Sequence, residues 1–354
     1  MSDRPAPHAA PAPSTAAPAV AAAPAAPALA PRVPAIEHYI RSHRLRWPEA
    51  LPWAIAIGAY YQFADYLPLG SQVLIMILFA LSLDLVLGYA GIVTLGHAAF
   101  FGAGAYAAGI YAVHISGEPF SGLLVAAFAA AAIGFLSGLV ILRTTGLTLL
   151  MLTLAVGALL AEAANQAAFI TGGNDGLQGI AIDPLFGRFG FDMFGRTAYL
   201  YCLAVLFLAW VFLRRLVHSP FGRSLSGIRE NVVRMHAVGT PVRRRLLSAY
   251  TISAALAGIA GGLLAQTTQF VGLTVLGFER SGAIVIMLVL GGAGRLYGAF
   301  AGATLYMIAQ DQLAEADPAF WDFWIGLLLV LIVLFARGGL LGLVDRVLLM
   351  VWRR

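Results

Sequence analysis

Ten apolar runs, at about 50–67, 71–88, 94–114, 121–142, 147–169, 197–213, 246–266, 280–293, 296–312 and 321–336, follow one another along the chain with short breaks. Most approach the roughly 20 residues that an α-helix needs to cross a bilayer core of about 30 Å. No other feature restricts the fold as strongly. Charged residues make up 11% of the chain and apolar residues 60%, whereas soluble domains carry about 25% charge. Mean hydropathy is +0.84. Such a chain cannot cover its own surface in water, so lipid is its solvent. The expected fold class is an all-α polytopic membrane protein of about ten transmembrane helices, both termini cytoplasmic. The run at 280–293 is short for a full crossing and also fits a re-entrant segment.

The breaks between runs give an independent test of orientation. With a cytoplasmic amino terminus, ten crossings put Arg143, the cluster Arg214–Arg245, Arg295 and a tail with Arg337, Arg346, Arg353 and Arg354 inside. The same count puts Asp175, Asp183, Asp192, Glu315, Asp317 and Asp322 outside, with Arg188, Arg196 and Arg280 as outnumbered exceptions. Basic loops are retained on the cytoplasmic side, so the even count fits.

Four regions follow. Residues 1–35 hold nine of the seventeen prolines in a sequence dominated by alanine; such a tail buries no core and is expected to be disordered. It lacks the basic start and continuous apolar stretch of a secretory signal. Residues 36–49, with Arg41, Arg44 and Arg46, form a basic cytoplasmic lead-in. Residues 50–336 form the transmembrane domain, including a cytoplasmic loop at 214–245, and 337–354 form a basic cytoplasmic tail.

Two absences narrow the function. All 22 basic residues are arginine, so a P-loop, which needs lysine on the β- and γ-phosphates, is excluded along with Schiff-base chemistry. The chain is therefore not expected to be an enzyme or to hold a cofactor. The single cysteine, Cys202, sits in an apolar run and reads as a small buried hydrophobe. A net charge of +5 does not point to nucleic acid, because the arginines fall between membrane spans.

The densest charge is "SPFGRSLSGIRENVVRMHAVGTPVRRR", Ser219 to Arg245. Eight arginines fall within Arg214–Arg245, with Glu230 as the only acid. Ser219 can cap a helix whose first residue is Pro220, and Gly239 followed by Pro241 ends it. Leu225, Ile228, Val232 and Met235 recur every three or four residues, an apolar stripe with Arg223, Arg229, Asn231 and Arg234 largely off it. This short amphipathic helix admits two readings: a membrane-surface helix whose arginines fix topology and touch anionic lipid, or a docking helix entering a groove of a soluble partner. The missing P-loop adds weight to the second, a permease driven by a separate ATPase.

Within the spans, glycines recur at Gly102, Gly104 and Gly109, at Gly258, Gly261 and Gly262, and at Gly294, Gly298 and Gly302. Such spacing lets membrane helices approach closely. The Gly-Gly-Ala-Gly at 291–294 reads as helix packing, since no strand precedes it as a nucleotide loop requires. Asp84 is an acid inside an apolar span, costing about 3 kcal/mol against lipid; it either lines a pathway or bonds backbone at the Gly-Tyr-Ala-Gly kink that follows. Glu162, Asn165 and Gln166 put a polar face near the outer end of their span, either a translocation wall or a hydrogen-bond network. "TGGNDGL", Thr171 to Leu177, reads as an external gate or docking loop, or as plain turn structure in which Asn174 and Asp175 fold back on backbone donors. His97, after Gly96, is a further pathway candidate, with a satisfied structural histidine as the commoner alternative; no metal-ligand spacing surrounds it.

Four stretches together resemble the longer permease type of branched-chain amino acid ABC importers: "LSLDLVLGYAGIVTLGHAAFFGAGAYAAG" from Leu81, "LTLLMLTLAVGALLAEAANQAAFITGGNDGL" from Leu147, the arginine loop with "LLSAYTISAALAGIAGGLLA" behind it, and "VLGGAGRLYGAFAGA" from Val289 with "LFARGGLLGL" after it. They cover most of 70–345 in family order, and permeases for urea and short amides share much of the pattern. The resemblance implies a multi-pass protein of the bacterial inner membrane, a heterodimer with a second permease subunit, two cytoplasmic ABC ATPases that bind the ATP, and a periplasmic substrate-binding protein. It also implies that the loop helix is the coupling helix, with Arg223, Arg229, Glu230, Arg234, His236, Ala237 and Gly239 in the ATPase contact. Two departures stand out: His236-Ala237 where the family often has Glu-Ala, and Asp84 where Asn is usual. The reading is an alternating-access importer of branched-chain amino acids. Its rivals are a urea or amide permease, a proton-coupled transporter using Asp84 and Glu162, and a scaffold without transport.

Overall fold

The computed structural model describes residues 51–62 and 66–318, apart from 186, 193 and 194, together with isolated residues between 320 and 342. The expected disordered tail, the basic lead-in, much of the tenth run and nearly all of the carboxy-terminal tail lie outside the described residues. Every regular element among the described residues is helical, as expected where backbone polar groups must be satisfied without water.

Helix α1 covers Leu51–Gln62 and α2 covers Leu67–Asp84, started by Pro68 and continued by a π-helical turn at Leu85–Tyr89. An irregular segment holding Gly91, whose φ is +74°, leads to α3, Ala98–His114. The third apolar run thus becomes helical four residues later than its hydropathy suggests. Helices α4 (Pro119–Ile141) and α5 (Leu147–Gln166) follow, then α6 (Arg196–His218). The basic loop forms α7 (Pro220–Glu230) and α8 (Val232–Ala237). The long α9 (Val242–Thr268) precedes α10 (Phe278–Gly291) and α11 (Leu296–Ala316).

Among the described residues, five segments are long and apolar enough to cross a membrane: Leu67–Tyr89, α4, α5, α6 and α9. Helices α10 and α11 meet that test only together and bend by 116° across their junction. At 14 residues, α10 is about 21 Å long, short of a bilayer core of about 30 Å. The pair therefore has the geometry of a broken span or a re-entrant hairpin, the alternative its length had raised.

Helix α9 packs between α3 and α4 and also against α2. Small residues make that closeness feasible. A Cβ at Gly104 on α3 would collide with the Gly258 backbone, one at Gly261 with the Phe101 carbonyl, and one at Gly258 with Ala126 and Ala130 of α4. The α10–α11 corner uses the same device, Gly302 lying on the Met287 carbonyl and Gly291 on that of Gly298. Without a hydrophobic force between lipid-immersed helices, such close approach gains dispersion and excludes lipid.

Candidate functional site

The carboxyl end of α2 gathers residues from four parts of the chain. Asp84 is fully buried, and its Oδ1 accepts a hydrogen bond of 2.6 Å from the backbone N–H of Gly294, in the loop between α10 and α11. Asp84 thus does bond backbone, but at a loop 210 residues away rather than at the adjoining Gly-Tyr-Ala-Gly kink. The Gly-Gly-Ala-Gly loop thus receives an acidic side chain of its own chain. Asp84 Oδ2 is buried without a partner.

The basic loop reaches the same place. Ser219 caps α7 as expected, accepting from the N–H groups of Phe221 and Gly222 at 3.2 and 3.5 Å. The expected single helix to Gly239 is, however, broken at Asn231, whose backbone is extended at φ −158° and whose Oδ1 accepts from Arg234 N at 2.9 Å to cap α8. The cause is local: Asn competes with the helix by bonding backbone three residues on. The predicted stripe splits accordingly. Leu225 and Ile228 are buried, while Val232 joins Val233 and Val238 on the surface, the last two 78% and 74% exposed. Met235 folds back over Gly227, closing the elbow, and Gly239 ends α8 at φ +83°.

Of the proposed coupling residues, Arg223, Glu230, Arg234, His236, Ala237 and Gly239 all lie on the exposed surface of this elbow. Arg229 differs. Although much of it is exposed, its Nη1 donates inward to the carbonyl oxygen of Gly88. The guanidinium thus lies on the face that α7 turns toward the bend of α2.

The other candidates lie apart from this junction in contact terms. His97 is 1% exposed, stacked on Phe79 with centroids 5.5 Å apart. Ser82 Oγ donates to Phe79 O at 2.6 Å and so accepts from His97 Nε2 at 2.9 Å, which assigns the ring proton to Nε2. His97 Nδ1, on the other side of the ring, is buried with no hydrogen-bond partner among the described residues. Glu162 Oε1 accepts from Gln166 Nε2 at 2.6 Å, both exposed on α5, with Asn165 half-buried beside them. In the turn after α5, Asn174 and Asp175 are exposed. The folding back expected of them is done by Thr171, whose hydroxyl donates to Ala164 O at 2.6 Å and Ala167 O at 3.0 Å. Leu177 then pairs with Val271. No group of three His, Cys, Asp or Glu occurs among the described residues.

One cavity escaped the sequence reading. Near the amino-terminal end of α2, with Ser71 roughly 20 Å from Asp84 along the helix, an open hollow of about 300 Å³ is lined by Ser71, Gln72, Asp192, Thr267, Thr268 and Gln269, with Pro68 and Phe191 among the rest. The one available signal was the polar Gln-Thr-Thr-Gln ending of an otherwise apolar run.

Residues 67–333 match the family described as Branched-chain amino acid transport system / permease component. The chain belongs to this family. It is 30% identical over 294 residues to the high-affinity branched-chain amino acid transport system permease protein LivM of Escherichia coli strain K12, a match covering 77% of this chain and 69% of that one. The LivM protein of Salmonella typhimurium is 29% identical with the same coverage. The autoinducer 2 import system permease protein LsrC of Enterobacter sp. strain 638 is 33% identical over 144 residues, 39% of this chain and 42% of that one. No solved structure matches the chain. As a permease component, the protein is a multi-pass transport subunit, and both of its polar ends, the α2–α7 junction and the hollow opposite, acquire a transport context.

Proposed function

We propose that this chain is the membrane-spanning subunit of an ATP-driven bacterial inner-membrane importer of branched-chain amino acids, working by alternating access. ATP is bound and hydrolysed by two separate cytoplasmic ATPases, and a second permease subunit and a periplasmic binding protein complete the machine. The observation that carries this reading is the α7–α8 elbow. It is anchored by Leu225 and Ile228, 0% and 2% exposed, and it presents Val233 and Val238 among arginines. A rigid handle with an apolar tip and basic surroundings suits a groove on a soluble partner.

The cargo follows from coverage. The LivM relatives of Escherichia coli and Salmonella typhimurium match 77% of the chain, the autoinducer relative 39%. A proton relay has less support, since Asp84 is engaged by Gly294 and Glu162 by Gln166. The ten-crossing topology with both ends cytoplasmic treats α10 and α11 as separate legs of the hairpin. In this arrangement the elbow and Asp84 lie at the inner side, and the hollow around Gln72 and Asp192 forms the outer mouth. Glu162, Asn165 and Gln166 face the second permease subunit, where a pathway wall would serve both chains.

Replacing Val233 and Val238 together by Asp tests the reading. The tagged chain should still insert in the membrane but lose its co-purifying ATPases; undiminished ATPase retention overturns the docking assignment. Uptake by the wild-type complex should be inhibited by leucine, isoleucine and valine and not by urea. Uptake that survives ATP depletion under an imposed proton gradient overturns the ATP-driven reading.

A further inference from the structure

The π-helical turn at Leu85–Tyr89 redirects the backbone ladder of α2. Ala90 N donates to Leu85 O at 3.2 Å, and Ile92 N, which would reach Gly88 in a regular α-helix, donates to Val86 O at 2.9 Å. The Gly88 carbonyl is thereby released inside a span, where an unsatisfied carbonyl is costly. Arg229 of α7 supplies the donor. Its stem lies over Gly91, where a Cβ would come within 2.9 Å of Arg229 Cγ. A Cβ on Gly294 would stand 3.0 Å from Arg229 Nη1. The guanidinium thus occupies a slot between two glycines, both at positive φ, +74° and +82°. Gly294 is in turn the residue that donates to Asp84.

We propose that Arg229 is a positioning residue, a strut that carries displacement of the α7–α8 elbow to the bend of α2 and, through Gly294, to the α10–α11 corner. The inference rests on the elbow being the ATPase contact, and it assigns Arg229 a task distinct from docking. Helix α7 can act as a rigid lever. Leu225 and Ile228 fasten it, and Gly222 is tucked against the Val217 carbonyl so closely that α6 and α7 cannot slide apart at that point. The bend offers the compliant end, because π-turns and positive-φ glycines are where a helix yields. Arg229 joins lever to bend with a charge-assisted bond, stronger than a neutral one.

The test uses the full complex in proteoliposomes, with Arg229→Met to keep the stem and remove the donors. ATPase retention should equal that of the wild type, while substrate moved per ATP hydrolysed falls at least about tenfold, the factor expected for one hydrogen bond to a charged group. Arg229→Lys, which restores a donor, should recover part of the ratio. An unchanged ratio in Arg229→Met overturns the strut, and so does loss of the ATPases, which would make Arg229 a docking residue. Failure of the wild-type chain to hold ATPases instead overturns the underlying proposal. A second measurement is independent of that variant. Val93, 47% exposed just past the bend, is replaced by Cys; the native Cys202 is fully buried and silent. In the otherwise wild-type complex, ATP should change the maleimide labelling rate at this position, and a rate indifferent to ATP overturns the inference.

Discussion

Helices α2 and α5 are almost equally apolar, yet 78% of the most apolar window of the α2 span is buried inside the protein and only 17% of that of α5. Leu74 to Asp84 of α2 form an unbroken buried stretch, whereas Met151 and Leu159 of α5 are more than 60% exposed. Hydropathy therefore reports immersion in lipid and leaves open whether a helix meets protein or lipid around its circumference. The difference lies in what surrounds each helix. Helix α2 contacts α6, α9, α10 and α11, and α5 mainly the turn Leu273–Leu276 between α9 and α10, the edges of α3 and α4 and the turns that follow it. The polar residues divide in the same way: Asp84 is sealed into a backbone contact, Glu162 open on the flank.

Six substitutions sharpen this contrast, each read from thermal unfolding of the purified chain in detergent. Gly261→Leu, which drives a side chain into the Phe101 carbonyl, should exceed the usual overpacking cost of about 3 kcal/mol and yield no monodisperse protein. Asp84→Ala strips the acceptor from Gly294 and should cost about 1–3 kcal/mol. Asp84→Asn, which keeps a carbonyl there, should cost less than half of that. Ser219→Ala removes the α7 cap and should cost about 1 kcal/mol. Gly157 of α5 is buried, yet a Cβ there would find only Gly96 Cα, at 3.7 Å, so Gly157→Ala should cost no more than about 0.5 kcal/mol. A large loss there would show that α5 is packed after all. Glu162→Ala should leave the unfolding temperature unchanged while reducing uptake by the complex; unaltered uptake would remove α5 from the pathway wall.

The apolar runs were legible because crossing a bilayer demands length and hydropathy, and each run within the described residues coincides with a helix. The caps at Ser219 and Gly239 were legible because they depend on neighbours in sequence. The break at Asn231 was not, since the apolar stripe continued across it. The pairing of Asp84 with Gly294 was equally hidden: it joins residues 210 apart, and nothing local distinguishes a carboxylate that lines a path from one that grips a loop. Arg229 illustrates the same limit. Eight arginines shared one loop, and only the tertiary packing sends Arg229 to the bend of α2 and Arg243 to Leu139 O of α4.

The turn at Leu85–Tyr89 also bears on how the protein tolerates change in length. A π-turn is an α-helix carrying one surplus residue, so deleting a single residue between Leu85 and Tyr89 would regularise the ladder. Everything downstream would then swing by about 100° around the axis, carrying His97 away from Ser82 and refilling the Gly88 acceptor with an internal donor. One codon separates an articulated helix from a straight one, and the guanidinium opposite would lose its seat.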